Sequence, residues 1–206
     1  MWKIGSLILL LVFVFIPRAE LAMAIEEVAY QVVKTEGPFE LRDYTPHILA
    51  DTFVDGEFKE AGSMAFRRLF GYISGDNRAQ TKIAMTAPVS QRPSEKIAMT
   101  APVGQQKSGN RWVVSFMMPA SYSMDTLPVP DDPQVRLRQV PARRMAAVRY
   151  SGFWSEKSYQ KNKLKLDSWI QKESLVVSGE PIWARYNSPF SVWFFRRNEI
   201  LIPVSK

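Results

Sequence analysis

The chain has 206 residues, 46% of them apolar, a formal net charge of +7, no cysteine and one histidine. This length suits one domain with an appendage, and the apolar share is enough for a core. The composition excludes disulfides, thiolate metal sites, cysteine nucleophiles and metal sites built on two histidines of one chain. The basic balance suits either an anionic partner or simple solubility.

In chain order, Met1–Lys3 is a short basic start, Ile4 to Ile16 an apolar run, and Ala22-Met23-Ala24 a small-x-small site. That is the pattern of a secretory signal peptide. Pro17 to Glu20 interrupts the run before the roughly twenty apolar residues a spanning helix needs. We expect residues 1–24 to be removed, a mature domain at 25–206, and a periplasmic or secreted location. If uncleaved, the segment is an N-terminal anchor and the one expected contact with a membrane.

Tyr30–Val33, Phe39–Tyr44 and Ile48–Val54 have strand character, with Glu36-Gly37-Pro38 as turn chemistry between the first two. In Phe58–Ile73 the residues Phe58, Ala61, Ala65, Leu69 and Tyr72 recur every three or four positions, which predicts a helix with one buried face. Met64, Arg68 and Gly71 fall on a neighbouring stripe. The octapeptide KIAMTAPV then occurs twice, at Lys82 and again at Lys96, with a polar turn-forming stretch between the copies. Apolar alternation predicts two strands joined by a hairpin-like loop, although proline at the end of each copy resists the middle of a ladder. Strands follow at Arg111–Met118, Val135–Gln139 and Met145–Tyr150. A second helix is expected over Ser155–Lys172, with Tyr159, Leu166, Trp169 and Ile170 inward. Ile182–Tyr186, Val192–Phe195 and Glu199–Val204 close the series as strands.

A wider repeat lies beneath. FELR at 39–42 and VRLR at 135–138 are each followed by a strand, a glycine (Gly56, Gly152) and an aromatic residue that opens a helix (Phe58, Trp154). The intervals Arg42–Gly56 and Arg138–Gly152 are equal. The order of elements, strand, strand, helix, strands, twice over, predicts an α+β fold with pseudo-twofold symmetry: an antiparallel sheet curling toward a barrel, with two helices packed outside.

The stretches YQVVKTEGPFELRDY, EAGSMAFRRLFGYISGDN, KIAMTAPV, VSFMMPASY, LPVPDDPQVRLRQVPARRMAAVRYSGFWSE and GEPIWARYNSPFSVWFFRRNEILIPV resemble the SOUL/heme-binding protein family from about Val28 to Val204. The resemblance implies a fold like bacterial effector-binding domains, two βαββ-type repeats forming a distorted antiparallel barrel flanked by two helices. It also implies reversible binding of heme or a related tetrapyrrole, often without a firm axial ligand. It implies no reaction.

A heme needs an apolar slot, cations for two propionates and, optionally, an iron ligand. The first helix offers Met64 as a soft flank, Gly71 as space, and Arg67 and Arg68 for the carboxylates. The family carries a basic residue where Arg68 stands, so the resemblance assigns that role to Arg68. His47, the lone imidazole, is the candidate metal ligand. Met85, Met99, Met117 and Met118, and Trp154, Trp183 and Trp193, are expected in the core. The resulting expectation is an exported, non-catalytic tetrapyrrole-binding protein used in heme sequestration or carriage. The alternatives are a small-molecule hydrolase, for which Glu57, Glu60 and Glu180 are available carboxylates, or an envelope protein-interaction module. No GxGxxG, Walker A or GxSxG motif is present. The basic residues are scattered, so nucleic acid is not an expected partner.

Overall fold

The computed structural model describes residues 25–80, 94–188 and 190–205. The N-terminal segment read as a signal peptide, the first octapeptide copy with Met85, and the start of the loop between the copies lie outside the described residues. The elements in chain order are β1 (Tyr30–Glu36), β2 (Phe39–Tyr44), β3 (His47–Val54), α1 (Phe58–Ser74), β4 (Asn77–Arg78), β5 (Val103–Ser108) and β6 (Arg111–Met117). They continue with β7 (Val129–Pro130), β8 (Val135–Val140), β9 (Arg143–Tyr150), α2 (Glu156–Lys172), β10 (Val176–Val177), β11 (Ile182–Arg185) and β12 (Asn198–Ser205).

A ten-stranded sheet runs in the order β1-β2-β9-β12-β11-β5-β6-β3-β8, with β10 added on β12 and a separate β4-β7 pair. All its strand pairs are antiparallel. From β2 to β8 the order is palindromic under the repeat seen in the sequence: β2 corresponds to β8, β9 to β3, β12 to β6 and β11 to β5. The pseudo-twofold therefore passes between β11 and β5, where Ala184 faces Gly104. The first strand of each unit pairs with the other unit, β2 on β9 and β8 on β3. Neither unit completes its own sheet. The repeated glycines also match: Gly56 and Gly152 have φ of 109° and 124°, a region that strains any side-chain-bearing residue, so glycine is needed where each unit turns toward its helix. The expected barrel stops short of closing, because β1 and β8 are the two ends of the sheet path.

Strand alternation sends side chains to two faces. On the outer faces, Ala61, Ala65, Leu69 and Tyr72 of α1 pack on Ala50, Val114 and Phe116. Leu166, Trp169 and Ile170 of α2 pack on Ala146, Val148, Ile200 and Ile202. Tyr44, Met145, Ala147, Ala184 and Leu201 fill the concave inner face. Ser155 caps α2 by accepting from the Ser158 N–H at 3.2 Å, which satisfies one of the helix's open donors.

Three expectations are corrected. The second octapeptide copy is not a strand: it is an extended strap from the end of α1 to β5. Ile97 N–H donates to Ile73 O at 2.9 Å and Ala101 N–H to Glu26 O at 2.9 Å, and Ala101 forms a lone parallel bridge with Glu27. Its proline has no N–H for a ladder, which is the physical reason. Ile97 and Ala101 are buried but Met99 is exposed, so Met99 is not core; Met117 and Met118 are. Val192–Phe195 is not a strand either: residues 193–195 form a 3₁₀ turn with its rings exposed, Trp193 among them. Trp183 is core as expected.

One charged network is built on a fully buried ion pair. The Arg42 guanidinium donates to Glu199 at 2.6 and 3.2 Å and to the Tyr44 hydroxyl at 3.0 Å, while Tyr186 and Arg197 donate to the same Glu199 carboxylate at 3.0 and 2.9 Å. The Arg42 and Glu199 side chains are 2% and 0% exposed. Burial alone raises a carboxyl pKa, but hydrogen bonds and charge from Arg42 and Arg197 more than offset it and hold Glu199 below the usual range. Neutralising Glu199 leaves Arg42 with only the partly exposed Glu40 carboxylate, 2.7 Å away, as counter-charge, so Glu199→Gln should lower unfolding free energy by up to about 3–5 kcal/mol in urea titrations at neutral pH. The stabilisation from Glu199 is present above the unfolded carboxyl value of ~4.3 and lost as pH falls through its lower folded value. The wild-type advantage over the variant should therefore shrink in acid.

Candidate functional site

The structure keeps α1's outward stripe open. Met64, Arg67, Arg68 and Gly71, spaced three or four apart, share one flank of the helix. Met64 is 42% exposed and Arg67 is exposed, with no ion pair among the described residues. Arg68 is half-buried and already engaged: it donates to Thr52 Oγ1 at 2.8 Å and pairs with Asp132 at 3.0 Å. Between the two arginines, Arg67 is the cation at hand for an incoming anion, and Arg68 is available by exchange of Asp132. The role read for Gly71 changes. A Cβ there would lie 2.4 Å from Asp76 Oδ2, so the missing side chain makes room for the Asp76 carboxylate, whose own N–H closes the helix on Gly71 O at 3.0 Å.

His47 is not part of this stripe. It begins β3 with its side chain on the concave face, where it lines a cavity of about 60 Å³ with Tyr44, Leu49, Met117, Arg143, Met145 and Leu201. None of Met64, Arg67, Arg68 or Gly71 lines that cavity. The space admits only a few waters, well short of the several hundred Å³ of an ordinary ligand pocket. His47 Nδ1 donates to Thr45 O at 2.8 Å. Burial, together with the charges of Arg143 and Arg138, keeps the imidazole pKa below its ordinary value despite that bond. Arg143 Nε and the Asp51 Oδ1 atom are buried without partners, and burial with the nearby Arg138 charge pushes the Arg143 pKa down.

A second, larger groove of about 640 Å³ runs between α2 and the β5–β11 seam. Its floor is aromatic: Phe58 and Trp183 stack at 4.3 Å, Tyr159 and Trp183 at 5.3 Å, and Trp112 meets Phe58 edge-on at 5.0 Å. Lys107 and Lys163 stand on its walls with Glu156, Asp167 and Glu180, and Lys163 is paired with Asp167 at 2.7 Å. Beneath it, Arg185 is sandwiched by Trp183 and Trp154, 4.6 and 5.2 Å to their centroids. Burial without a carboxylate partner pushes the Arg185 pKa down to about 10. Sequence reasoning missed this groove because its lining comes from α1, β5, β6, α2, β10, β11 and β12 and follows no local pattern. Of the proposed carboxylates, Glu180 lies on the groove, whereas Glu57 and Glu60 sit at the exposed start of α1.

A family model described as SOUL heme-binding protein matches residues 25–203. The chain belongs to the SOUL heme-binding protein family. Among curated relatives, Heme-binding protein 2 of Mus musculus is 27% identical over 79% of this chain and 80% of that protein. Heme-binding protein 2 of Homo sapiens is 26% identical over 86% of this chain and 89% of its own length. Among solved structures, the EcmrR C-terminal domain superposes with a TM-score of 0.59 at 11% identity, covering 86% of this chain and 98% of that domain. A hydrolase from Listeria innocua gives 0.53 at 12% identity, covering 84% and 94%. At these identities the likeness shows the fold alone, and the fold is effector-binding-like.

The depressed His47 value has a direct consequence. Below the unfolded imidazole value of ~6.5 the unfolded chain takes up a proton that folded His47 resists, so stability falls as pH drops through that range. His47→Gln should flatten the loss between about pH 7 and pH 5 in urea unfolding series.

Proposed function

We propose that this SOUL-family protein reversibly binds heme or a related tetrapyrrole on the outward flank of α1, as a carrier or sequestering protein with no catalytic step of its own. In this reading residues 1–24 direct export and are removed, so that the domain works in the periplasm or outside the cell. The carrying observation is the open flank of α1, with Met64 and Arg67 exposed, in a chain matched by a heme-binding family model over residues 25–203. The names of the mouse and human relatives support the same ligand.

The residues present suit such a group in part. A heme supplies a flat apolar face, two carboxylates and an iron with open axial positions. Met64 offers a polarisable apolar contact. Arg67 offers a fork of donors to a carboxylate, and Arg68 offers a second by exchanging Asp132. His47 faces the concave side instead, so this site has no imidazole ligand from the same flank, in keeping with loose, reversible binding. The groove beside α2 has the volume for a macrocycle, but three carboxylates on its walls oppose a dianionic ligand.

Titration with hemin, followed by Soret absorbance, should reach a saturable 1:1 endpoint. Charge-assisted hydrogen bonds contribute ~1.5–3 kcal/mol each, so the Arg67→Glu, Arg68→Glu double variant should weaken affinity at least about tenfold. Because Arg67 is exposed, Arg67→Glu alone tests the same contact without touching packing. His47→Ala should leave endpoint and spectrum unchanged. A linear, unsaturable response overturns specific binding, and a loss confined to Lys107→Glu moves the site to the groove beside α2.

A further inference from the structure

We infer that the protein carries a second contact site, an aromatic tip that inserts into the surface of an anionic phospholipid bilayer. The tip is made by two loops that the sequence separates and the fold joins. The β9–α2 loop supplies Phe153, and the β11–β12 loop supplies Phe190, Val192, Trp193, Phe194 and Phe195. Gly152 N–H donates to Trp193 O at 3.2 Å, and the Phe153 and Trp193 rings stack at 4.9 Å with planes 14° apart. Trp193 meets Phe194 edge-on at 5.4 Å, and Phe194 meets Phe195 at 4.5 Å. The longer loop is closed on itself: Ser191 N–H donates to Ser188 O at 3.0 Å, Phe195 N–H to Val192 O at 3.0 Å, and Arg196 Nε to Ser191 O at 2.8 Å. The aromatic rings are therefore held outward by a built turn. Phe190 is 95% exposed and Phe195 76%.

A soluble domain rarely leaves so many contiguous aromatic residues in water without a use. The chemistry at the tip's base selects a bilayer as the occupant. α2 begins three residues after Phe153, and its outer face presents Lys157, Lys161 and Lys165 at four-residue spacing, all exposed, with Leu164 67% exposed beside them. Glu156 is the acid in its first turn. Arg149 is exposed one strand residue from the end of β9. Apolar phenyl rings with one indole among them, set ahead of a row of flexible cations, match an acyl boundary beneath anionic headgroups. The chain's net charge of +7 favours approach to the same surface. The tip is convex, so it projects into a partner; a concave groove that would receive a peptide is not what these loops build. This contact uses residues distinct from the α1 flank and stands apart from the heme reading. It also differs from the sequence expectation, which confined membrane contact to the N-terminal segment.

The test is flotation of the full chain with phosphatidylcholine vesicles, with and without phosphatidylglycerol. Binding should require the anionic lipid. Phe190→Asp with Phe195→Asp should lower the partition coefficient at least about tenfold, with thermal unfolding unchanged because both rings are exposed. Lys157→Glu with Lys161→Glu should lower it in anionic vesicles. Brominated lipids should quench a fraction of the tryptophan fluorescence that Trp193→Phe removes while binding persists. Equal binding by the Phe190/Phe195 variant overturns the inference and moves the contact elsewhere, the apolar run at residues 4–16 included. So does failure of the wild type to float, or sedimentation as a dimer that only the Phe190/Phe195 variant disperses.

Discussion

The Glu199 carboxylate, enclosed on the concave side of the sheet, is the constraint around which the molecule is arranged. It accepts from Arg42 of β2, from Tyr186 just past β11 and from Arg197 just before β12. Arg197 in turn pairs with Glu27 at 2.9 Å, which fastens the segment ahead of β1. A buried carboxylate with two arginines is tolerated only when every oxygen is met. Meeting them forces β2 to curl over the interior toward β12. In the other half, Arg138 of β8, the repeat counterpart of Arg42, pairs instead with the buried Asp51 of the neighbouring β3 at 2.7 Å. The repeated Arg in FELR and VRLR thus meets a carboxylate in each unit, buried at Arg42 and 49% exposed at Arg138.

Curling divides the protein into surfaces with different duties. The concave face is filled by side chains and retains about 60 Å³, too little for a macrocycle. The surfaces left with room for a ligand lie on the outside: the flank of α1, the groove beside α2 and the aromatic tip. The two helices share a place in the repeat but differ in dress. α1 presents Met64 and arginines at its outer flank, while α2 presents a row of lysines. A repeat whose halves pair with each other keeps both frameworks rigid while leaving each outer helix face free to diverge.

Much of the fold was legible in the sequence because it rests on local periodicity. The buried faces of both helices, Ala61-Ala65-Leu69-Tyr72 and Leu166-Trp169-Ile170, follow the 3.6-residue repeat and are buried as expected. β5, spelled VGQQKS, was illegible: its polar residues sit at a seam where Gln105 donates to Phe58 O at 2.9 Å and accepts from Arg185 at 3.0 Å, a partnership that hydrophobic pattern cannot report. The run VWFF misled in the other direction. High strand propensity gave way to an exposed 3₁₀ turn because no neighbouring strand is there to pair with it. On the candidate site, the stripe Met64–Arg68 was readable as a helix face, but the engagement of Arg68 by Asp132 and the filling of Gly71's space by Asp76 were not.

The sequence by itself determined the α+β class, the doubled strand–strand–helix order, the membership of its motifs and the absence of thiol chemistry, because these follow from residue type and spacing along one chain. Only the tertiary structure decided that His47 faces inward while Met64 faces out, that the octapeptide is a strap, and that Phe153 and Trp193 meet. Those outcomes depend on which strand lies beside which, and strand partnership is set by long-range burial and by pairing of buried charges, which no local window contains.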